Sequence, residues 1–234
     1  MAGNGIQRVA ALDEPLRRRI YELVRRARRA LTRDDVAAEL GISRKLAAFH
    51  LDKLLARGLL RTHYARPPGR SGPGAGRSAK FYEPSDVDIE VTIPERRYDL
   101  AGSLLVEAVR SEAPGERARD AALRVAREHG LALGQHVRRE RRLRSLGPER
   151  ALAVARDVLE EHGYEPYRDD RRVLALRNCP FHSLAQQSRD LMCGMNRAFI
   201  DGLLRGLGND SVEAVLECKP GDCCVTLRAP AGRR

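Results

Sequence analysis

Residues 31–60, LTRDDVAAELGISRKLAAFHLDKLLARGLL, leave this chain few ways to fold. Thr32 or Asp34 can cap a first short helix, in which Ala37, Ala38 and Leu40 are the small apolar residues. Gly41 ends that helix, because a residue without a Cβ can enter the left-handed region and turn the chain. Ser43 then caps a second helix running to about residue 57 and closed by Gly58. An advance of about 100° per residue puts Ala47, His50, Leu51 and Leu54 on one face of it. Lys45, Ala48, Phe49 and Asp52 fall on the other, with Arg44 at the exposed start and Lys53 on the flank. The pattern is a helix-turn-helix. An outer face that mixes cations with a phenylalanine and small residues suits the major groove of double-stranded DNA. There, cations meet phosphates and guanine edges, and apolar groups meet thymine methyls.

The flanking residues extend the motif. Residues 15–30 form an amphipathic helix with Leu16, Ile20, Leu23, Val24 and Ala27 on the inner stripe and arginines elsewhere. Residues 59–64 read as a strand, RPPGRSGPGAGRS as a loop, and residues 79–83 as a return strand. A hairpin with so cationic a tip is a wing. Its Arg66, Arg70, Arg77 and Lys80 are placed to reach a phosphate backbone or minor groove, while Ser43, Arg44, Lys45, Ala48, Phe49 and Lys53 are the expected contacts of the helix. Residues 15–84 resemble the winged-helix domain of ArsR-type bacterial repressors, including the pair His50-Leu51 and the closing Gly58-Leu59-Leu60.

Charge is placed accordingly. Of a net +11, residues 1–84 hold 18 Lys/Arg against 8 Asp/Glu, whereas the other 150 residues hold 25 against 24. A basic coat for solubility would cover both parts, so the asymmetry is the footprint of a polyanion partner. No run approaches the roughly eighteen apolar residues of a membrane span, and MAGNGIQRVAALDEP lacks the apolar core of a signal peptide. A cytoplasmic protein without a membrane partner is expected. The wing glycines do not make a phosphate-binding loop, because Ser71 stands where its first glycine would fall and Arg77 replaces the lysine.

Residues 85–94 alternate as a short strand or extended linker. Helical periodicity then returns, with Tyr98, Leu100, Ala101, Leu104, Leu105 and Ala108 on one helix. A second helix over about residues 116–144 carries Gly130 and Gly134, which suit close packing or a bend, and a third runs from Pro148 to about His162. The PERRYDLAGSLL segment resembles the stretch after the wing in these repressors, where helices beyond the DNA-binding domain hold a dimer together. One recognition helix reads only a few base pairs, so a homodimer on a two-fold operator gains specificity.

All five cysteines lie beyond residue 178, at 179, 193, 218, 223 and 224. Thiols kept reduced and clustered point to a metal or redox role rather than a disulfide framework. Residues 172–177 form a buried strand ending at Asn178-Cys179-Pro180, and a long helix over about 183–207 carries Cys193 on the shoulder of its apolar stripe. Residues 211–216 and 224–227 alternate as strands around Lys219-Pro220-Gly221-Asp222, which sets Cys218 opposite Cys223 and turns Cys224 away. Cys179, Cys193, Cys218 and Cys223 are thus the expected thiolate set for an iron–sulfur cluster or, alternatively, zinc, with His182 a further candidate ligand.

Over the whole chain the sequence resembles SufR-type iron–sulfur-sensing repressors. The likeness rests on the winged helix, the PERRYDL helices, CPFHSLA, a cysteine on the next helix and a glycine-preceded cysteine near the end. It implies a cluster on Cys179, Cys193 and Cys223 that controls operator affinity; the extra Cys218 and the Cys223-Cys224 pair depart from the pattern. EAVLECKPGDCCVTL also resembles the end of 4-vinyl-reductase-type ligand-sensing domains. A Cys179–His182 nucleophile–base pair has no orienting partner or oxyanion loop in the sequence, so an enzyme is not expected. The expected fold is α+β: a winged helix over 1–84, a linker and dimerisation helix over 85–110, and a cysteine-rich α+β sensor over 111–234.

Overall fold

A computed structural model describes residues 2–65 and 78–230. Arg66, Arg70 and Arg77, the expected wing-tip contacts, lie outside those residues. The chain divides into two compact units, residues 1–91 and 92–234.

The first unit opens with α1 (Ala2–Ala11), an element with no counterpart among the sequence-based expectations. In α2 (Pro15–Arg26) the Glu14 carboxylate accepts from the Leu16 and Arg17 N–H groups, and Pro15 sits at the first helical position, where its missing N–H is harmless. Strand β1 (Leu31–Thr32) leads into α3 (Arg33–Leu40). Thr32 caps that helix in a reciprocal box with Asp35, and Gly41 at φ 64° ends it. Ser43 caps α4 (Arg44–Ala56) through the Leu46 N–H. The two remaining strands, β2 (Leu60–Ala65) and β3 (Ala79–Pro84), pair antiparallel from Leu60↔Pro84 to Ala65↔Ala79. β1 adds to the far edge of β3 through Leu31↔Tyr82, giving the order β1-β3-β2. Ile20, Val24, Val36, Ala47, Leu51, Leu54, Leu59 and Tyr82 close the core. Full burial of a leucine such as Leu51 or Leu54 is worth about 2 kcal/mol.

Residues 85–97 contain neither helix nor strand. The stretch expected as a separate linker and dimerisation helix divides instead. Its first residues go with the winged helix, and α5 (Tyr98–Arg110) joins the core of the second unit because Ala101, Leu104 and Ala108 are buried there.

That core is organised by α6 (Ala118–Glu140) and α9 (Arg189–Gly206), which touch backbone to backbone. A Cβ at Gly130 would stand 1.9 Å from the Phe199 carbonyl oxygen, and one at Gly134 2.3 Å from that of Leu203. In the opposite direction, a Cβ at Gly202 would stand 2.1 Å from the Arg127 oxygen and one at Gly206 2.3 Å from that of Leu131. Two glycine pairs, each four residues apart, therefore face one another, and only hydrogen atoms fit between the helices. Close packing rather than a bend is the role of Gly130 and Gly134. Helix α7 (Pro148–Glu161) covers the same core with Ala151, Leu152, Ala155, Val158 and Leu159.

Four strands, β4 (Pro166–Asp170), β5 (Val173–Leu176), β6 (Glu213–Leu216) and β7 (Val225–Arg228), form an antiparallel sheet in the order β4-β5-β7-β6. Strand β4 was not expected, since its polar PYRDD run has no buried alternation. The single long helix expected over 183–207 is two: α8 (His182–Gln187) and α9 meet at Ser188, whose φ −147° and ψ 82° are extended. No glycine or proline marks that break in the sequence. Among the described residues, no helix is long and apolar enough to cross a membrane.

Candidate nucleic-acid interface and cysteine cavity

Helix α4 carries its two faces as the periodicity requires. Ala47, His50, Leu51 and Leu54 are buried, while Ser43, Arg44, Lys45 and Lys53 are exposed and Ala48 is half-buried. Phe49 is 53 % exposed, and the Lys53 ammonium lies 5.7 Å from its ring centroid. A phenylalanine held in water beside a cation gains little from folding, so the fold itself does not account for this face. Arg44 Nε meets Asp34 Oδ1 at 3.0 Å, an exposed pair that a stronger anion can replace at little cost.

Lys80 is engaged differently from the expected phosphate contact. Its Nζ donates to Asp52 Oδ1 at 2.7 Å, and the Tyr82 hydroxyl donates to the same oxygen at 3.0 Å. Partial burial opposes the Lys80 charge, but the bonds with Asp52 and Tyr82 outweigh it and raise the lysine pKa. Lys80 thus pins the wing strand to α4. Beneath α4, His50 Nδ1 lies 3.3 Å from the Glu14 carboxylate that caps α2. Burial works against that carboxylate, yet the Arg17 and Leu16 N–H groups and His50 hold its pKa below the usual range.

In the second unit all five cysteines line one cavity of about 510 Å³, together with His182, Arg96, Arg177 and Arg189. Cys179 follows β5, and its corner is held from several sides. Arg96 Nη1 donates to Asn178 Oδ1 and to the Cys179 carbonyl, both at 2.7 Å. The buried Asn178 amide donates to the Glu95 carbonyl at 3.0 Å and the Gly163 carbonyl at 2.6 Å. The Arg97 N–H reaches the Pro180 carbonyl at 3.1 Å, and Tyr98 Oη donates to Ser183 Oγ at 2.8 Å. The PERRY and NCPFHS segments, some eighty residues apart in sequence, are thereby one structural element.

Cys223 is buried beside Cys179. The bond between the two thiols, with the Phe181 N–H and the Arg96 charge, outweighs burial and brings the Cys179 pKa down to about 7. The same bond, with burial, pushes the Cys223 thiol well up. Asn196 Nδ2 donates to Cys223 Sγ at 3.3 Å, and Tyr164 Oη donates to Asn196 Oδ1 at 2.5 Å, so a buried polar chain ends on the thiol pair. Cys193 projects from α9, and burial raises its pKa.

The hairpin differs from expectation. Cys218 pairs with Cys224 as a disulfide, not with Cys223. Strand pairing reaches only as far as the Glu217 N–H on the Cys224 carbonyl, after which the Cys223 N–H crosses to the Leu176 carbonyl of β5 at 2.8 Å. That bond turns Cys223 inward, toward Cys179, and leaves Cys218 facing Cys224. His182 is exposed, its Nε2 3.1 Å from Gln186 Nε2.

A three-stranded wing on a helix-turn-helix, with one helix face left for a partner, defines a winged helix-turn-helix DNA-binding protein. Residues 12–63 match the family model of a helix-turn-helix domain. That match covers α2, β1, α3, α4 and the start of β2, and it supports a DNA-binding transcriptional regulator. A search of curated proteins found no match for the chain.

Proposed function

We propose that the protein is a transcriptional repressor that binds a double-stranded DNA operator as a homodimer, with α4 in the major groove, and whose affinity follows the state of the C-terminal cysteines. The carrying observation is that all five cysteines, three of them free thiols, line one cavity in a unit separate from the reading head. Arg44, Lys45, Ala48, Phe49 and Lys53 read base edges, Ser43 and the wing arginines Arg66, Arg70 and Arg77 set the register on phosphate, and Lys80 holds the wing strand to α4 through Asp52.

An iron–sulfur cluster suits the donor set in chemistry and size. Thiolates are its usual ligands, the cavity has room for several metal atoms, and Arg96, Arg177 and Arg189 offset the negative charge that thiolates bring. Zinc alone needs four donors within about 2.3 Å of one point. Among the described residues no three Cys, His, Asp or Glu side chains stand ready for a metal ion, so zinc and a cluster alike would need the cavity's cysteines to draw together. Cys179, Cys193 and Cys223 would hold a cluster, with Cys218 or Cys224 completing it once their mutual bond is reduced. Such a cluster supplies a reversible electron or oxidation response. The protein's own residues pass the outcome on: Arg96 and Asn178 tie the Cys179 corner to the backbone at 95–97, directly beyond the segment joining the two units.

The resemblance to SufR-type repressors supports the same reading. The Cys218–Cys224 pair and the Cys179–Cys223 contact favour one alternative, a thiol–disulfide sensor without metal. Anaerobically purified protein is expected to be brown and to contain iron and acid-labile sulfide, and its operator affinity should shift about five- to 150-fold on oxidation. Colourless protein whose affinity still follows thiol oxidation selects the thiol sensor. Equal affinity in every cysteine state overturns both.

A further inference from the structure

The close approach of α6 and α9 has a second effect, on their outer side. Arg119, Leu123 and Arg127 recur every four residues along α6, and Arg189, Cys193, Arg197, Asp201 and Arg205 do so along α9. With no side chains separating the helices at their glycines, the two stripes flank a cavity of about 410 Å³. Residues 92–234 hold 25 Lys/Arg and 21 Asp/Glu, close to balance, yet five arginines and only two aspartates line this one concavity. Asp201 accepts from Arg127 at 3.4 Å and pairs with Arg205 at 3.3 Å. Arg197 is steadied by its Nε bond to the Ala214 carbonyl at 3.0 Å. Arg119 and Arg189 have no carboxylate partner within salt-bridge distance among the described residues, and both line this same space.

We infer that this cavity is a binding site for a small multivalent anion bearing carboxylate or phosphate groups. Like charges gathered in a concave, partly apolar site repel one another, and a bound anion turns that cost into binding energy. Planar guanidinium forks converging from two helices match carboxylate and phosphate oxygens in pairs. Leu123, Ala198 and Leu216 give the site an apolar wall, as ligand pockets commonly have. Gly194 is fitted tightly against that wall, where a Cβ would stand 3.1 Å from Leu123 Cδ2. The site shares Arg189, Cys193 and Cys218 with the cysteine cavity, so an occupant lies against the sensing residues whatever those thiols hold.

Isothermal titration of the full-length protein at constant ionic strength tests this, with citrate and inorganic phosphate as probes and chloride as the reference salt. One saturable site per chain is expected for at least one probe. Arg119→Ala and Arg189→Ala, both exposed and expected to fold normally by circular dichroism, should each weaken it about tenfold. Arg139→Ala, which removes the same charge from another exposed part of α6, should leave it unchanged. A preference for citrate or for phosphate identifies which oxyanion the site takes. Heat that follows ionic strength alone, or equal affinity in all three variants, overturns the inference. So does a loss of DNA binding in Arg119→Ala and Arg189→Ala with probe binding intact, which would assign the arginines to DNA.

Discussion

The two units present their chemistry in opposite ways. On the winged helix the interacting groups stand outside a finished core: α4 buries Leu51 and Leu54 and leaves Phe49 and Lys45 in water. In the second unit the reactive groups are part of the packing. Cys223 is 2 % exposed, bonded to Asn196 and continuous with the sheet through Leu176. Groups exposed on a surface can be changed with little effect on stability, whereas a change at a buried thiol such as Cys223 disturbs the packing around it. Under the proposed function that difference is what sensing would require, because only a change felt by the core can be passed on.

The contrast can be broken most forcefully at the glycine seam. Gly130→Ala should cost at least about 3 kcal/mol, since the new methyl meets the Phe199 backbone rather than a yielding side chain. In denaturant melts the second unit's transition should collapse while that of the winged helix persists. Asn178→Ala should cost about 2 kcal/mol by taking their shared donor from the Glu95 and Gly163 carbonyls and leaving Arg96 only the Cys179 carbonyl. It should also blunt any effect of cysteine state on DNA affinity. Phe49→Ala is the opposite test. Stability should move by no more than about 0.5 kcal/mol while sequence preference in a binding-site selection changes. A Phe49 variant that reads the same sequences as the parent would show that α4 does not read bases.

Smaller effects sharpen the comparison through pH. In reduced, metal-free protein, alkylation of Cys179 should rise with a midpoint near pH 7, while Cys223 stays protected to much higher pH. Because the folded pKa of Cys179 lies below its unfolded value, the associated stability is present in full above the ordinary thiol range and lost as pH falls through about 7. Mass spectrometry of the alkylated peptides reads the difference. In the first unit Glu14→Ala should cost about 1 kcal/mol through loss of the α2 cap. Its carboxylate pKa is also depressed, so that contribution is present above the unfolded carboxylate range and fades on acidification. A urea titration between neutral and acidic pH would track it.

Legibility in the sequence divides along the same line. The helix-turn-helix was legible because each element depends on neighbours in sequence: Thr32 and Ser43 cap, Gly41 turns, and the 3.6-residue period sorts His50 inward from Phe49 outward. Strand β1 was not, because two residues carry no period and its partner Tyr82 lies fifty positions away. Around the cysteines, alternation placed Cys223 inward but could not foresee that its N–H leaves the hairpin for β5, which set Cys218 against Cys224. Arg96 and Asn178 carried no signal of their own. Only the joint presence of PERRY and NCPFH hinted that they meet. The arginine stripes of α6 and α9 were readable one helix at a time, and their convergence depends on glycines whose packing role alone was foreseen.

The seam between α6 and α9 has one more implication. Two rods resting on each other along bare main chain have no cushion to compress, so neither can yield a little at a time. Cys193, one turn into α9, sits near the end of such a rod, and Gly206 lies at the other. Under the proposed function, a displacement at Cys193 would be carried along α9 as a stiff unit, because four missing side chains leave nothing to give way between it and α6.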